Sequence, residues 1–86
     1  MKLHFTKPFI RDYRVISTSL QKRIDKQLRL LLENLRHPSL RLKKIDNQRG
    51  IWRARVTDAV RFTFQIEGDT YILRRVGGHD ETLRSP

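Results

Sequence analysis

The chain has 86 residues, enough for one hydrophobic core and too few for two, so a single domain over residues 1–86 is expected. It contains no cysteine, which excludes disulfide stapling and thiol catalysis and is compatible with a reducing compartment. Its 19 Lys and Arg oppose 9 Asp and Glu, and the resulting formal charge of +10 favours a polyanionic partner such as nucleic acid or an acidic protein segment.

No apolar run approaches the ~18 residues needed to cross a bilayer, and the first residues, MKLHFTKPF, lack the apolar stretch of a signal peptide. A cytoplasmic protein with no membrane partner is expected. Leu3 and Phe5 alternate with Lys2 and His4, so residues 2–5 read as a strand. Thr6 or Lys7 then opens a helix that tolerates Pro8 in its first turn, with Phe5, Phe9, Tyr13 and Ile16 as its apolar stripe. Ser17, Thr18 and Ser19 break that pattern. Thr18 and Gln21 match a capping box, so a second helix starts there, with Leu20, Ile24, Leu28, Leu31 and Leu35 on one side, and ends near Arg36 ahead of Pro38. The two helices form a hairpin whose stripe covers one face of a sheet.

Residues 37–50, HPSLRLKKIDNQRG, read as a loop entering the sheet. Leu40, Leu42 and Ile45 pin it to the core, while Arg41, Lys43, Lys44 and Arg49 stay outside and add phosphate affinity.

From residue 51 onward the chain alternates apolar and basic residues. Trp52, Ala54 and Val56 share one face of a strand and Arg53 and Arg55 the other; Val60, Phe62, Phe64 and Ile66 repeat the pattern, leaving Arg61, Thr63 and Gln65 outside. A three-residue loop, Thr57-Asp58-Ala59, sets Val56 against Val60, Ala54 against Phe62 and Arg55 against Arg61. A two-residue turn at Gly68-Asp69 sets Ile66 against Tyr71, Phe64 against Leu73 and Phe62 against Arg75 on the core side, with Thr63 facing Arg74 outside, in a third strand over residues 71–76.

This phase gathers Arg53, Arg55, Arg61 and Arg74 on one face. Like charges directly opposite each other destabilise a sheet by about 0.2–1 kcal/mol per pair, so an anion is expected there. Gly77-Gly78 can swing the chain sharply, leaving His79, the side chain best suited to move a proton near neutral pH, at the end of the strand that carries Arg74. There is no G-x-x-x-x-G-K-[ST] loop, no H-E-x-x-H and no cluster of carboxylates, and His4, His37 and His79 are too scattered to propose as metal ligands. No order of Ser, His and Asp suggests a hydrolase triad.

The arrangement as a whole, an α+β fold with an N-terminal strand and two-helix hairpin packed on a mainly antiparallel sheet completed by a three-stranded meander, resembles the RelE/ParE superfamily of toxin-antitoxin toxins. Trp52-Arg53-Ala54-Arg55-Val56 is similar to the family's aromatic-Arg-x-Arg-Val strand, and Val60-Arg61-Phe62-Thr63-Phe64 to its Tyr-Arg-Val-x-Tyr strand. The run from Val76 to Leu83, VGGHDETL, resembles the Gly-Thr-His ending of the YafQ-like branch. The resemblance implies a type II toxin that enters the ribosomal A site and cuts mRNA without a metal or other cofactor, through attack of the ribose 2′-hydroxyl on the adjacent phosphorus. It implies Arg61 on the scissile phosphate, Arg53 and Arg55 on the flanking backbone or the transition state, and His79 in proton transfer, with Lys43, Lys44, Arg49 and Arg74 as further RNA-binding cations. Its implied partners are mRNA, the ribosome and a cognate antitoxin, the last in a hetero-oligomer whose acidic or amphipathic segment covers the basic face. Leu83 stands where many relatives carry Tyr or Phe, and Asp58 is the nearest residue to the additional upstream His and Asp of the YafQ-like branch. The alternatives are a ParE-like inhibitor of DNA gyrase with the same fold, and a basic RNA-binding protein without catalysis.

Overall fold

The computed structural model describes residues 1–86 apart from the side chains of Glu81 and Leu83, so the expectation that rests on Leu83 lies outside the described side chains. Strand β1 (Lys2–Phe5) is ended by Thr6, which caps helix α1 (Lys7–Arg14). The Thr6 hydroxyl accepts from the Phe9 amide at 3.4 Å and donates to the Leu73 carbonyl at 2.8 Å, so one side chain both starts the helix and pins it to the sheet. Pro8 occupies the first turn, as expected.

Helix α2 (Thr18–Glu33) follows, but not through the expected capping box at Thr18. Ser17 is the cap, accepting from the Leu20 amide at 3.4 Å, and Gln21 turns its side-chain amide to the Tyr13 carbonyl, 2.8 Å away. Three consecutive hydroxyl residues all suit the cap position, and burial of Ile24, Leu28 and Leu31 selects among them. The helix stops short of Arg36 because Asn34 adopts extended geometry, φ −157° and ψ 97°. Leu35 therefore packs against the core from beyond the helix.

Residues 37–50 are the main correction. They hold a 3-10 turn (Pro38–Leu40) and a strand, β2 (Lys43–Asp46), where a loop was expected. Four residues with two exposed lysines give no alternation to read, although a short charged strand is what a sheet edge calls for. Strands β3 (Ile51–Arg55), β4 (Val60–Glu67) and β5 (Thr70–Gly78) complete a five-stranded sheet in the order β1-β5-β4-β3-β2. β1 joins β5 in parallel and the other neighbours are antiparallel, so the meander has four strands rather than three. Gly77 and Gly78 continue β5 instead of swinging the chain; the positive-φ glycines are Gly50 and Gly68, the latter in the expected Gly68-Asp69 turn.

The register follows expectation at both hairpins. Ala54 faces Phe62, Arg55 faces Arg61, Ile66 faces Tyr71 and Phe64 faces Leu73. Beyond Leu73 it shifts: Thr63 faces Arg75 rather than Arg74, and Phe62 faces Val76 rather than Arg75. The extra residue is a β-bulge, and its effect is to turn Val76 into the core in place of Arg75. The Val76 amide then finds an acceptor in Asp12 of α1 at 3.1 Å, and the same carboxylate takes both Nε and Nη2 of Arg75, at 2.6 and 3.1 Å.

Between helices and sheet lie Phe9, Ile24, Leu28 and Leu31, packed with Leu40 on Ala54, Val56, Phe62, Phe64, Tyr71, Leu73 and Val76. Gln27 is buried among them and donates from Nε2 to the Arg55 carbonyl at 2.7 Å and the Ser39 carbonyl at 3.3 Å, tying α2 to β3 and to the 3-10 turn. On the opposite face, a short helix, α3 (His79–Arg84), packs against β4 and β5. Thr63, expected to be outside, is wholly buried there, donating to the Pro86 carbonyl at 3.0 Å. Among the described residues no helix is long and apolar enough to cross a membrane.

Replacing Gln27 with Leu leaves the half-buried Ser39 and Arg55 carbonyls without this donor and is expected to lower the unfolding free energy by about 1–3 kcal/mol, read as a reduced urea midpoint at constant slope. Asp12→Ala leaves the Val76 amide without its acceptor and removes the carboxylate from Arg75, and a loss of about 1–3 kcal/mol is expected in the same measurement. An unchanged midpoint would show that the bulge does not depend on α1.

Candidate functional site

The β3–β4 hairpin organises the site. Its loop is closed by the Val56 amide on the Val60 carbonyl at 2.9 Å, and the Thr57 hydroxyl accepts from the Ala59 and Val60 amides at 3.2 and 3.1 Å. Asp58 is left at the tip, exposed, where its Oδ1 takes Nε and Nη2 of Arg55 at 3.2 and 2.8 Å. Arg61 turns back on the same loop and donates from Nη1 to the carbonyls of Thr57 and Val60. The Ala59 carbonyl accepts the backbone amide of His79 at 3.0 Å, which brings the first residue of α3 beside the arginines.

The imidazole then lies within reach of β3, with His79 Nε2 3.3 Å from Nη1 of Arg53. A guanidinium can only donate, so this contact is a hydrogen bond when Nε2 is unprotonated, and the ring proton then sits on Nδ1. Oδ1 of Asp80 is 3.6 Å from Nδ1, on the side that suits that tautomer.

The charges of this group act on one another. Burial pulls the Arg61 guanidinium below its ordinary pKa, and the charges of Arg53 and Arg55 pull it further; Asp58 opposes them, and Arg41 adds a smaller push. The hydrogen bond from Arg55 holds the Asp58 carboxyl below the usual carboxylate range, reinforced by the charges of Arg55, Arg41 and Arg61. Arg41 was expected only to add phosphate affinity from the loop, not to act on the Arg55 and Arg61 group. It ends the 3-10 turn in the left-handed region at φ 45°, ψ 53°, a conformation that nothing in a run of Leu, Arg and Lys announces.

Of the residues expected to act, Arg53, Arg55, Arg61 and His79 are brought together. Lys43 faces Arg53 across the β2–β3 pair and so lies on the same side of the sheet. Lys44 faces Trp52 and stands over its indole ring, 5.5 Å from the centroid, on the opposite side. Arg49 is paired with Asp46 at 2.8 Å, and Arg74 donates to Gln65 Oε1 at 2.8 Å and the Pro86 carbonyl at 3.0 Å; neither bonds to any member of the His79 group. Among the described residues no three His, Asp or Glu side chains converge as metal ligands. The arrangement sets an imidazole nitrogen beside several guanidinium donors, which is equipment for moving a proton next to a phosphate.

No curated protein sequence matches the chain. Solved structures do. The YoeB/ParE toxin from Agrobacterium tumefaciens superimposes with a TM-score of 0.78 at 19% identity, covering 92% of this chain and 99% of that one. YafQ from E. coli strain BL21(DE3) gives 0.77 at 12% identity, over 93% and 94%. A chain of the RelB-RelE antitoxin-toxin complex from Methanococcus jannaschii gives 0.72 at 26% identity, over 95% and 98%. The family described as "ParE toxin of type II toxin-antitoxin system, parDE" matches residues 3–83, from β1 into α3. With that match spanning helices α1 and α2 and running from β1 through β5, the chain belongs to the ParE toxin family of type II toxin-antitoxin systems, within the RelE/ParE superfamily.

Proposed function

We propose that this toxin is a ribosome-dependent mRNA endonuclease that needs no metal, and that an antitoxin protein restrains it. The observation that carries the reading is the 3.3 Å approach of His79 Nε2 to Arg53 beside Arg61 and Arg55. In the reaction, neutral His79 removes the proton of a ribose 2′-hydroxyl. The freed oxygen bonds to the adjacent phosphorus, the bond from phosphorus to the 5′ oxygen breaks, and that oxygen takes up a proton from solvent while His79 returns its own to solvent. The products are a 2′,3′-cyclic phosphate and a 5′-hydroxyl, so no water or oxidant is consumed. Negative charge grows on the non-bridging oxygens, and Arg61, Arg53 and Arg55 are the donors that stabilise it. Arg61 is best placed for this, because the carbonyls of Thr57 and Val60 fix its guanidinium before substrate arrives.

An antitoxin partner is supported by the kinship with a RelB-RelE antitoxin-toxin complex and with the YoeB-YefM complex from Staphylococcus aureus, and an acidic or amphipathic segment suits the basic face. A second reading, inhibition of DNA gyrase, is favoured by the match to the ParE toxin description. It has no use for the imidazole beside Arg53, which is why RNA cleavage is preferred.

Arg61→Ala and His79→Ala are expected to slow cleavage of ribosome-bound mRNA by roughly 10²–10³-fold and 10²–10⁴-fold respectively and to relieve growth arrest on expression, with the far-ultraviolet spectrum unchanged. Full toxicity of both variants would sink the nuclease mechanism. In parallel cell-free assays, the wild-type protein should stop translation and leave gyrase supercoiling intact; the reverse result would select the gyrase reading.

A further inference from the structure

A second concentration of guanidinium groups lies apart from the His79 group, where the start of α1, the bulge of β5 and the C-terminal residues meet. A cleft of about 600 Å³ opens there, lined by Arg11, Arg49, Arg74, Arg75 and Arg84. The fold itself holds three of them: Arg75 by Asp12, Arg49 by Asp46, and Arg74 by Gln65 and the Pro86 carbonyl. Arg11 and Arg84 are exposed and have no acceptor among the described residues. Among the described residues two carboxylates thus offset two of five charges, and Arg11 and Arg84 come to the cleft from opposite ends of the chain.

We infer that this cleft is a phosphodiester subsite for single-stranded RNA, engaging the backbone a few nucleotides from the bond that is cut. It rests on the reading of Arg53, Arg55, Arg61 and His79 as the cutting centre. Three features of the cleft select this ligand. Its donors are planar forks that match phosphate oxygens in pairs. No aromatic ring lines it, so it offers bases nothing to stack on and reads backbone rather than sequence. Its position also fits a continuous strand: Arg61 faces Gly77, and Arg74 stands three residues earlier on β5, a separation of about 10 Å at ~3.3 Å per residue. At ~3.4 Å of rise per nucleotide, that corresponds to roughly three nucleotides of a stacked strand. An acidic peptide would also meet the charge, but a peptide groove needs apolar pockets for its side chains, and among the described residues Pro8 and Pro86 are the apolar ones that line this cleft.

The test is binding of a fluorescent 2′-O-methyl oligoribonucleotide, which lacks the attacking hydroxyl and stays intact, measured by anisotropy across a salt series. Each phosphate contact contributes about 0.7 to the slope of log K against log salt for single strands, so Arg11→Gln with Arg84→Gln should flatten it by about 1.4. The corresponding double lysine variant should keep the slope, because the charges remain. His79→Gln should also keep it, which separates the cleft from the cutting centre: a toxin that cuts no RNA but shows the flattened slope retains this subsite and loses the proposed nuclease activity. An unchanged slope in the double glutamine variant overturns the subsite. So does a loss of poly-glutamate binding in that variant with RNA binding unaltered.

Discussion

Phe62, Phe64, Leu73 and Val76 can all face the helices only if β5 gains one residue between Leu73 and Val76, because side chains alternate sides and strict alternation would turn Arg75 inward. Full burial of a valine side chain stabilises by about 1.5–3 kcal/mol, whereas a guanidinium buried without a partner costs several. The bulge at Arg74 and Arg75 is the solution. Just past it, the amide of Val76 goes to Asp12, whose two oxygens also fix the Arg75 guanidinium. β1 pairs with β5 only from Thr70 to Leu73, so the strand beyond has no neighbour on that side, and α1 supplies the acceptor a neighbouring strand would have given.

Once that phase is set, the arginines of β3 and β4 have nowhere to go but the opposite face. Like charges directly opposite each other cost a sheet about 0.2–1 kcal/mol per pair, and Arg55 stands directly across from Arg61. The hairpin loop moderates it with oxygens, from the Asp58 carboxylate on Arg55 and the Thr57 and Val60 carbonyls on Arg61. Those same bonds fix where the charges point. A group that is already ordered and only partly solvated needs little reorganisation when a phosphate enters, and this preorganisation is what transition-state stabilisation requires.

The parts of the fold that were legible in the sequence are those governed by short-range periodicity. The stripe of Ile24, Leu28 and Leu31, the three-residue loop at Thr57-Asp58-Ala59 and the Gly68-Asp69 turn each follow from local spacing and burial, and the Arg53, Arg55 and Arg61 group comes with them. What stayed hidden depends on contacts made across the chain. The bulge needs Asp12, 64 positions before Val76; β2 is a strand only because β3 offers it an edge; and Thr63 is buried only because the chain returns over it. Gln27 did carry a local sign, a polar residue placed between Ile24 and Leu28 on the inner face, where an amide is tolerated only with acceptors waiting for it.

The position of His79 is itself inherited. Helix α3 has six residues, well short of the ~12–15 at which a helix is even marginally stable in isolation, so its placement comes from anchors outside it. At its start the His79 amide bonds to Ala59, and past its end Ser85 and Pro86 accept from Arg75, Arg74 and Thr63. Ala59 is in turn held by the Thr57 hydroxyl, and β3 by the buried Gln27 amide on the Arg55 carbonyl. The distance from imidazole to guanidinium is therefore fixed by a relay that begins inside the helical layer and ends at the hairpin tip. Precision at the proton-transfer group comes from the core beneath the sheet, not from the short helix that carries it.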